Sequence, residues 1–152
     1  MPLFRTALAN LAALVVPGVG HNYDLDAVPD ELSRAQLPAL LVLPGETQQD
    51  ALFRERGHGF QAIAFSQGAR TVTYTLTHLL LVAPVSGGAG MRSHLPGLID
   101  LIDEYFVALG DDVTLGGELL EPARVSVEPG TFTHGAVAYH GCAFRHTWVM
   151  EV

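Results

Sequence analysis

The sequence predicts an α+β domain, a mostly antiparallel sheet with two helices packed on one face, and three observations predict it. The segment Val137–Val152 alternates almost without a break, the period of a strand whose side chains point to opposite faces in turn. Arg70–Val82 alternates too, with Thr71, Thr73, Thr75 and Thr77 interleaved among Val72, Tyr74, Leu76 and His78. Pro2–Val15 and Leu95–Leu109 instead place apolar residues at three- and four-residue spacing, which makes one stripe along a helix. Strands and helices in this order, without a regular βαβ alternation, give two helices on one antiparallel sheet.

Each element can be justified in chain order. Pro2 suits a first helical turn, and Leu3, Ala7, Leu8, Leu11, Leu14 and Val15 form the stripe of the first helix before Pro17-Gly18 ends it. His21–Gln36 is polar and reads as an excursion. Leu37-Pro-Ala-Leu-Leu-Val-Leu-Pro44 is a short apolar run closed by Pro44-Gly45, the pattern of a central strand. Phe60–Phe65 is a strand, and Ser66-Gln67-Gly68-Ala69 is the turn after it. Arg70–Val82 has thirteen residues, roughly 43 Å of strand where five or six residues are usual. Such a strand bends at a bulge or reaches beyond its own domain.

Val85–Arg92 is a glycine-rich loop. Ser93 can cap the helix that follows, Pro96 is tolerated in its first turn, and Gly110 is a natural stop. The stripe of this second helix is Leu95, Leu98, Ile99, Ile102, Tyr105, Phe106 and Leu109. Thr114–Gly117 is a turn, Ala123–Val127 a short strand, Glu128-Pro-Gly130 a second turn, and the last strand follows. One face of that strand holds His140, Cys142, Phe144, His146, Trp148, Met150 and Val152, mainly apolar. The other holds Tyr139, Gly141, Arg145, Thr147 and Glu151, mainly polar.

The chain has 152 residues, enough for one domain over 1–152 with its own core. Only 16% of residues are charged against 49% hydrophobic, where about 25% charged is usual. That deficit points to surface covered by a protein partner or by self-assembly; a large core with loops rich in glycine and proline (16 Gly, 9 Pro) is the plainer alternative. All eight basic residues are Arg, scattered except for Arg54 and Arg56, and the net charge is −8. Binding to nucleic acid through its phosphates needs basic clusters that this chain lacks. A single cysteine excludes an internal disulfide, and Cys142 reads as a small buried hydrophobe. Nothing resembles a signal peptide or a membrane span, so the expected compartment is cytosolic.

Three constellations invite a chemical reading. Ala64-Phe-Ser-Gln-Gly68 nearly matches a nucleophile elbow, but a strand pattern follows Ser66 where the elbow requires a helix. His134, His140, Cys142 and His146 fall within thirteen residues. Alternation puts the last three on one strand face, where zinc or iron is conceivable. No carboxylate joins them, however, and Phe144, Trp148 and Met150 share the face. Packed, hydrogen-bonded histidines are the plainer reading, and His78 has the same default. Ser86-Gly-Gly-Ala-Gly90 precedes a helix but lacks the lysine and spacing of a phosphate loop. It reads as a contact arm. No catalytic, metal or cofactor residue is assigned.

Taken in order, the Leu3–Val15 helix, Tyr23 and Pro29, Leu37–Pro44, the Thr/Val strand pair, Leu95-Pro-Gly-Leu-Ile-Asp-Leu-Ile-Asp-Glu-Tyr-Phe106, Thr114-Leu-Gly-Gly117, and the closing Tyr139-His-Gly-Cys-Ala-Phe144 with Val149-Met-Glu-Val152 resemble the phage tail terminator and tail-completion proteins of long, non-contractile tails. The resemblance implies a structural virion protein without an active site, assembled in the host cytoplasm. Such proteins form a homo-oligomeric ring, usually a hexamer, at the head-proximal end of the tail tube, where the ring ends tube polymerisation and meets a head-completion or connector protein. Net acidity suits a lumen through which DNA slides without specific binding. The long strand and the glycine-rich loop are the expected ring or tube contacts: Arg70, Thr71, Thr73, Thr75, Thr77, Ser86, Gly87, Gly88, Gly90, Met91 and Arg92. Two alternatives stand beside this one, a head–tail connector or adaptor and a small metal-dependent enzyme using the histidine and cysteine cluster.

Overall fold

A computed structural model describes residues 3–43, 59–66, 68–88 and 90–151. Several sequence features lie outside these residues: Pro2, the Pro44-Gly45 stop, Arg54 and Arg56, Gln67, Ala89 and Val152. The elements are α1 (Leu3–Ala12), β1 (His21–Tyr23), β2 (Ala39–Leu43), β3 (Gly59–Ser66), β4 (Ala69–Pro84), α2 (Met91–Gly110), β5 (Arg124–His134) and β6 (Val137–Glu151). Short 3-10 turns occur at Arg34–Gln36 and Val85–Gly87.

The strands form one sheet in the order β1-β2-β4-β6-β5, with β3 also on β4. Only the β1–β2 pair is parallel. The α+β architecture expected from the sequence is therefore the one observed. Among the described residues, no helix is long and apolar enough to cross a membrane.

β4 and β6 are the spine. They pair from Thr71↔Glu151 to Pro84↔Tyr139, with a register shift between Leu81 and Ala83. That shift supplies the bulge a strand of this length needs. Close by, β6 carries Gly141, where a Cβ would run into the Leu80 carbonyl and Leu81 Cα, so the close approach of the two backbones requires glycine. β3 and β2 share the other edge of β4 end to end, β3 along residues 69–75 and β2 along 77–81. This corrects one expectation. A strand of this length leaves a reach beyond its domain open beside a bend at a bulge, but β6 holds one edge along 71–84 and β3 and β2 hold most of the other along 69–81, which leaves no long edge for pairing across subunits.

Both helices cover the same face. Ala7, Leu8 and Leu11 of α1 and Leu98, Tyr105 and Leu109 of α2 join Leu40, Leu80, Phe144, Trp148 and Met150 in the main core. Each fully buried leucine there contributes about 1.5–3 kcal/mol. The buried stripe of α2 is narrower than its periodicity suggests. Leu95, Ile99, Phe106 and Val107 remain 38%, 49%, 45% and 62% exposed.

The opposite face of β6 is not simply polar. Arg145 and Thr147 fit the expectation, but Tyr139 and Ala143 are buried with Leu41, Leu79, Leu81 and Phe132 in a second cluster. The His21–Gln36 excursion covers it with Val28 and Leu32 and supplies β1 besides. Local sequence cannot announce this, because the covering segment lies about a hundred residues from the strand it covers.

The expected turn at Glu128-Pro-Gly130 is also corrected. β5 runs straight through it, Pro129 standing opposite Cys142, and the chain reverses at Gly135-Ala136. Gly135 has φ 64°, as the first central position of a two-residue hairpin turn requires. A side chain there would strike the Asp30 carbonyl oxygen, 2.7 Å from the Cβ position. Proline is allowed because β5 is an edge strand, where its missing N–H can face away from the ladder.

Candidate functional site

His78 of β4 and His146 of β6 enter a buried chain of hydrogen bonds under the helices. Trp148 Nε1 lies 3.1 Å from His146 Nδ1, and His146 Nε2 lies 2.7 Å from the Tyr105 hydroxyl. That hydroxyl is 2.8 Å from His78 Nδ1, and His78 Nε2 is 2.8 Å from Asn22 Oδ1. Asn22 Nδ2 donates to the carbonyls of Leu11 and Leu14 at 3.1 and 3.2 Å. Leu11 is in the last turn of α1 and Leu14 just beyond it, where carbonyls lack the regular helical N–H partner, although Leu11 also accepts from the Leu14 N–H at 3.2 Å.

Proton positions follow from the ends inward. An indole N–H only donates, so His146 Nδ1 accepts and its Nε2 carries the hydrogen. Tyr105 then accepts from His146 and donates to His78 Nδ1. His78 Nε2–H donates to Asn22, whose amide is already committed to the helix carbonyls. Every link has one donor and one acceptor, and both imidazoles are neutral. Burial drives the same state. It holds His146 at about 3 and, with His146 as a lesser cause, keeps His78 well below the ordinary range. Burial first, and Cys142 second, push Tyr105 well above its ordinary value.

The four candidate metal ligands are directed to different places. His134 Nε2 donates to the Pro29 carbonyl at 2.7 Å. The His140 ring lies 5.1 Å from that of His94 on α2, while His146 belongs to the chain just described. The Cys142 thiol is pushed up to about 12, chiefly by burial, which keeps it a neutral thiol and not the thiolate that a metal binds. Among the described residues no three histidine, cysteine or acidic side chains are placed to share an ion. Ser66 pairs with Ala69 at the end of a β-hairpin, so no helix follows it as an elbow would need.

The expected contact residues divide into two groups about 50 Å apart along β4. Arg70 is exposed and Thr71 and Thr73 half-buried at its start, but Thr75 and Thr77 are buried. Those two are corrected as contact residues, because the protomer itself covers them. Ser86, Gly87 and Gly88 are exposed at the other end. The expected loop is shorter than 85–92: α2 begins at Met91, with Gly90 and not Ser93 at its cap. Met91 therefore packs against the core, while Arg92 stays exposed in the first turn.

This second end contains a cleft of about 300 Å³ lined by Arg34, Leu37, Val82, Pro84, Gly87 and His94. A second hollow, of about 390 Å³, is lined by Val85, Ser86 and Ala136–Ala138. The walls are apolar and the mouth carries an exposed guanidinium and an imidazole. Neither Arg34 nor Arg92 has an ion-pair partner among the described residues. Sequence reasoning marks the loop but misses Arg34 and His94. His94 had one available signal, its place in the first turn of a helix that opens on glycine. Arg34 had none, since only the fold of the excursion brings it here. Comparison with family models and with curated proteins finds no match to this chain.

Proposed function

We propose that this chain is a ring-forming structural protein of the tail terminator kind. It acts in the virion, at the head-proximal end of a phage tail tube, as a homo-oligomer of about six copies. The resemblance gives the role, and one observation carries the self-assembly. Leu95, Ile99 and Phe106 lie within about 40° of one another around α2 and stay 38%, 49% and 45% exposed among the described residues. In a chain with only 16% charged residues, an uncovered apolar helix side is a subunit contact, because single copies rarely leave such a patch to water. The histidines support the same reading. His78 and His146 are used to fix α1, α2 and the sheet together and are held neutral by burial, an architectural use. A net charge of −8 repels passing DNA and prevents adhesion to it.

Light scattering across a concentration series, followed by negative-stain imaging, tests the proposal. The expected result is a closed ring with a hole wide enough for a DNA duplex, about 20 Å, which caps the growing end of purified tail tubes. A chain that forms closed rings but never binds tube ends would move the role to a connector. A chain that stays monomeric, alone and with tubes, would refute the proposal.

A further inference from the structure

The two ends of α2 carry charges of the wrong sign for a helix that stands alone. A helix is electropositive at its N-terminus and electronegative at its C-terminus, so it favours acids first and bases last. α2 has no acid in its first turn and no base in its last. Arg92 sits in the first turn, with Arg34 and His94 at the neighbouring cleft. Asp111 caps the other end and Asp112 follows it. No side chain caps the N-terminus, which leaves its backbone N–H groups to add to the positive potential.

We propose that the cleft takes the Asp111–Leu120 turn of a second copy, so that α2 helices follow one another head to tail around the ring. This rests on the ring reading above and names its contact. The turn suits the cleft in charge and in apolarity: Asp111 is exposed, and Val113 and Leu120 beside it are 40% and 55% exposed. Arg34 and Arg92 on the cleft side lack partners of their own among the described residues.

The turn is also held in one shape. Leu115 is fully buried in the left-handed region at φ 50°. Its carbonyl accepts from Asn10 Nδ2 at 2.8 Å, and Asp112 Oδ1 accepts from the Gly116 N–H at 2.7 Å. A preformed loop loses little freedom on docking. α2 has 20 residues and so spans about 30 Å. Donor and acceptor surfaces at opposite ends of that span make a heterologous contact, the kind that closes into rings.

A charge exchange tests the contact. Arg34→Glu with Arg92→Glu inverts the cleft, and Asp111→Arg inverts the turn. Asp112 is left alone because it holds Gly116. Circular dichroism confirms that each variant is folded before its mass is measured. Each inverted variant should need at least about tenfold more protein than the unmodified chain to assemble. Mixed together, the two should assemble again in alternation, since each inverted surface then meets one of opposite charge on the other variant. The chain carrying all three substitutions should assemble by itself again. If the unmodified chain forms rings and the inverted variants do so at the same concentration, the head-to-tail contact is overturned while the ring reading stands. Failure of the triple variant to recover also overturns the contact. A chain that is monomeric at every concentration, alone and with tail tubes, overturns both.

Discussion

Tyr105 serves two histidines at once through a single hydroxyl. Its ring stacks on Phe144 with centroids 3.7 Å apart, so Tyr105→Phe keeps the packing and removes one oxygen. His146 Nε2–H then loses its acceptor and His78 Nδ1 its donor, both deeply buried. Unsatisfied buried groups cost about 1–3 kcal/mol each. The expected loss is about 2–4 kcal/mol in urea denaturation, with no change in m-value. Gly141→Ala acts by collision instead. A methyl group there must displace the Leu80 backbone at the β4 bulge, and about 1–3 kcal/mol is the usual cost of overpacking, readable in the same titration. The buried fate of His78 and His146 was legible from their places on apolar strand faces. Their partners were not. His78 finds Tyr105 27 residues away and Asn22 56 residues away, and nothing local in a sequence encodes such pairings.

At the scale of elements, α2 separates what periodicity reveals from what it hides. The three- and four-residue spacing located the helix and put Leu98, Tyr105 and Leu109 inward. It could not say how wide a stripe the sheet covers, and three of the seven stripe residues, Leu95, Ile99 and Phe106, stay exposed. Ile99→Gln should therefore leave protomer stability within about 0.5 kcal/mol, as exposed substitutions do, while raising the concentration needed for assembly. Unfolding and light scattering on one preparation check both halves. β5 teaches a related lesson. Glu128-Pro-Gly130 carries the strongest local turn signal in its region, yet pairing with β6 overrides it, because an edge strand tolerates proline. The length of β4 was legible and its use was not, since the strands that occupy its other edge are recognised only when the sheet is assembled.

For the whole molecule, the neutral histidine chain makes stability depend on pH. His146 titrates at about 3 in the folded state and His78 also well below 6.5, whereas both return to about 6.5 on unfolding. Above that value neither state binds the proton and their contribution is complete. As pH falls below 6.5 the unfolded chain takes up protons that the folded chain refuses, so stability falls, by up to about 1.4 kcal/mol per pH unit for each histidine. The loss from His146 continues down to its folded value near 3. Urea midpoints at pH 7, 5.5 and 4.5 should decline progressively. Midpoints independent of pH would mean that the buried chain accepts the charge.

Pro129 interrupts the outer edge of β5 and leaves residues 124–128 and 130–134 on either side of it. Each half is shorter than the six- or seven-residue segments that stack into cross-β fibrils. A strand-rich protein with few charges is at risk of that fate when crowded, and here the edge gives an added strand no continuous ladder to grow along. A concentrated preparation should therefore remain fluid and free of thioflavin-binding material. Replacing Pro129 with valine would remove the safeguard without disturbing the core.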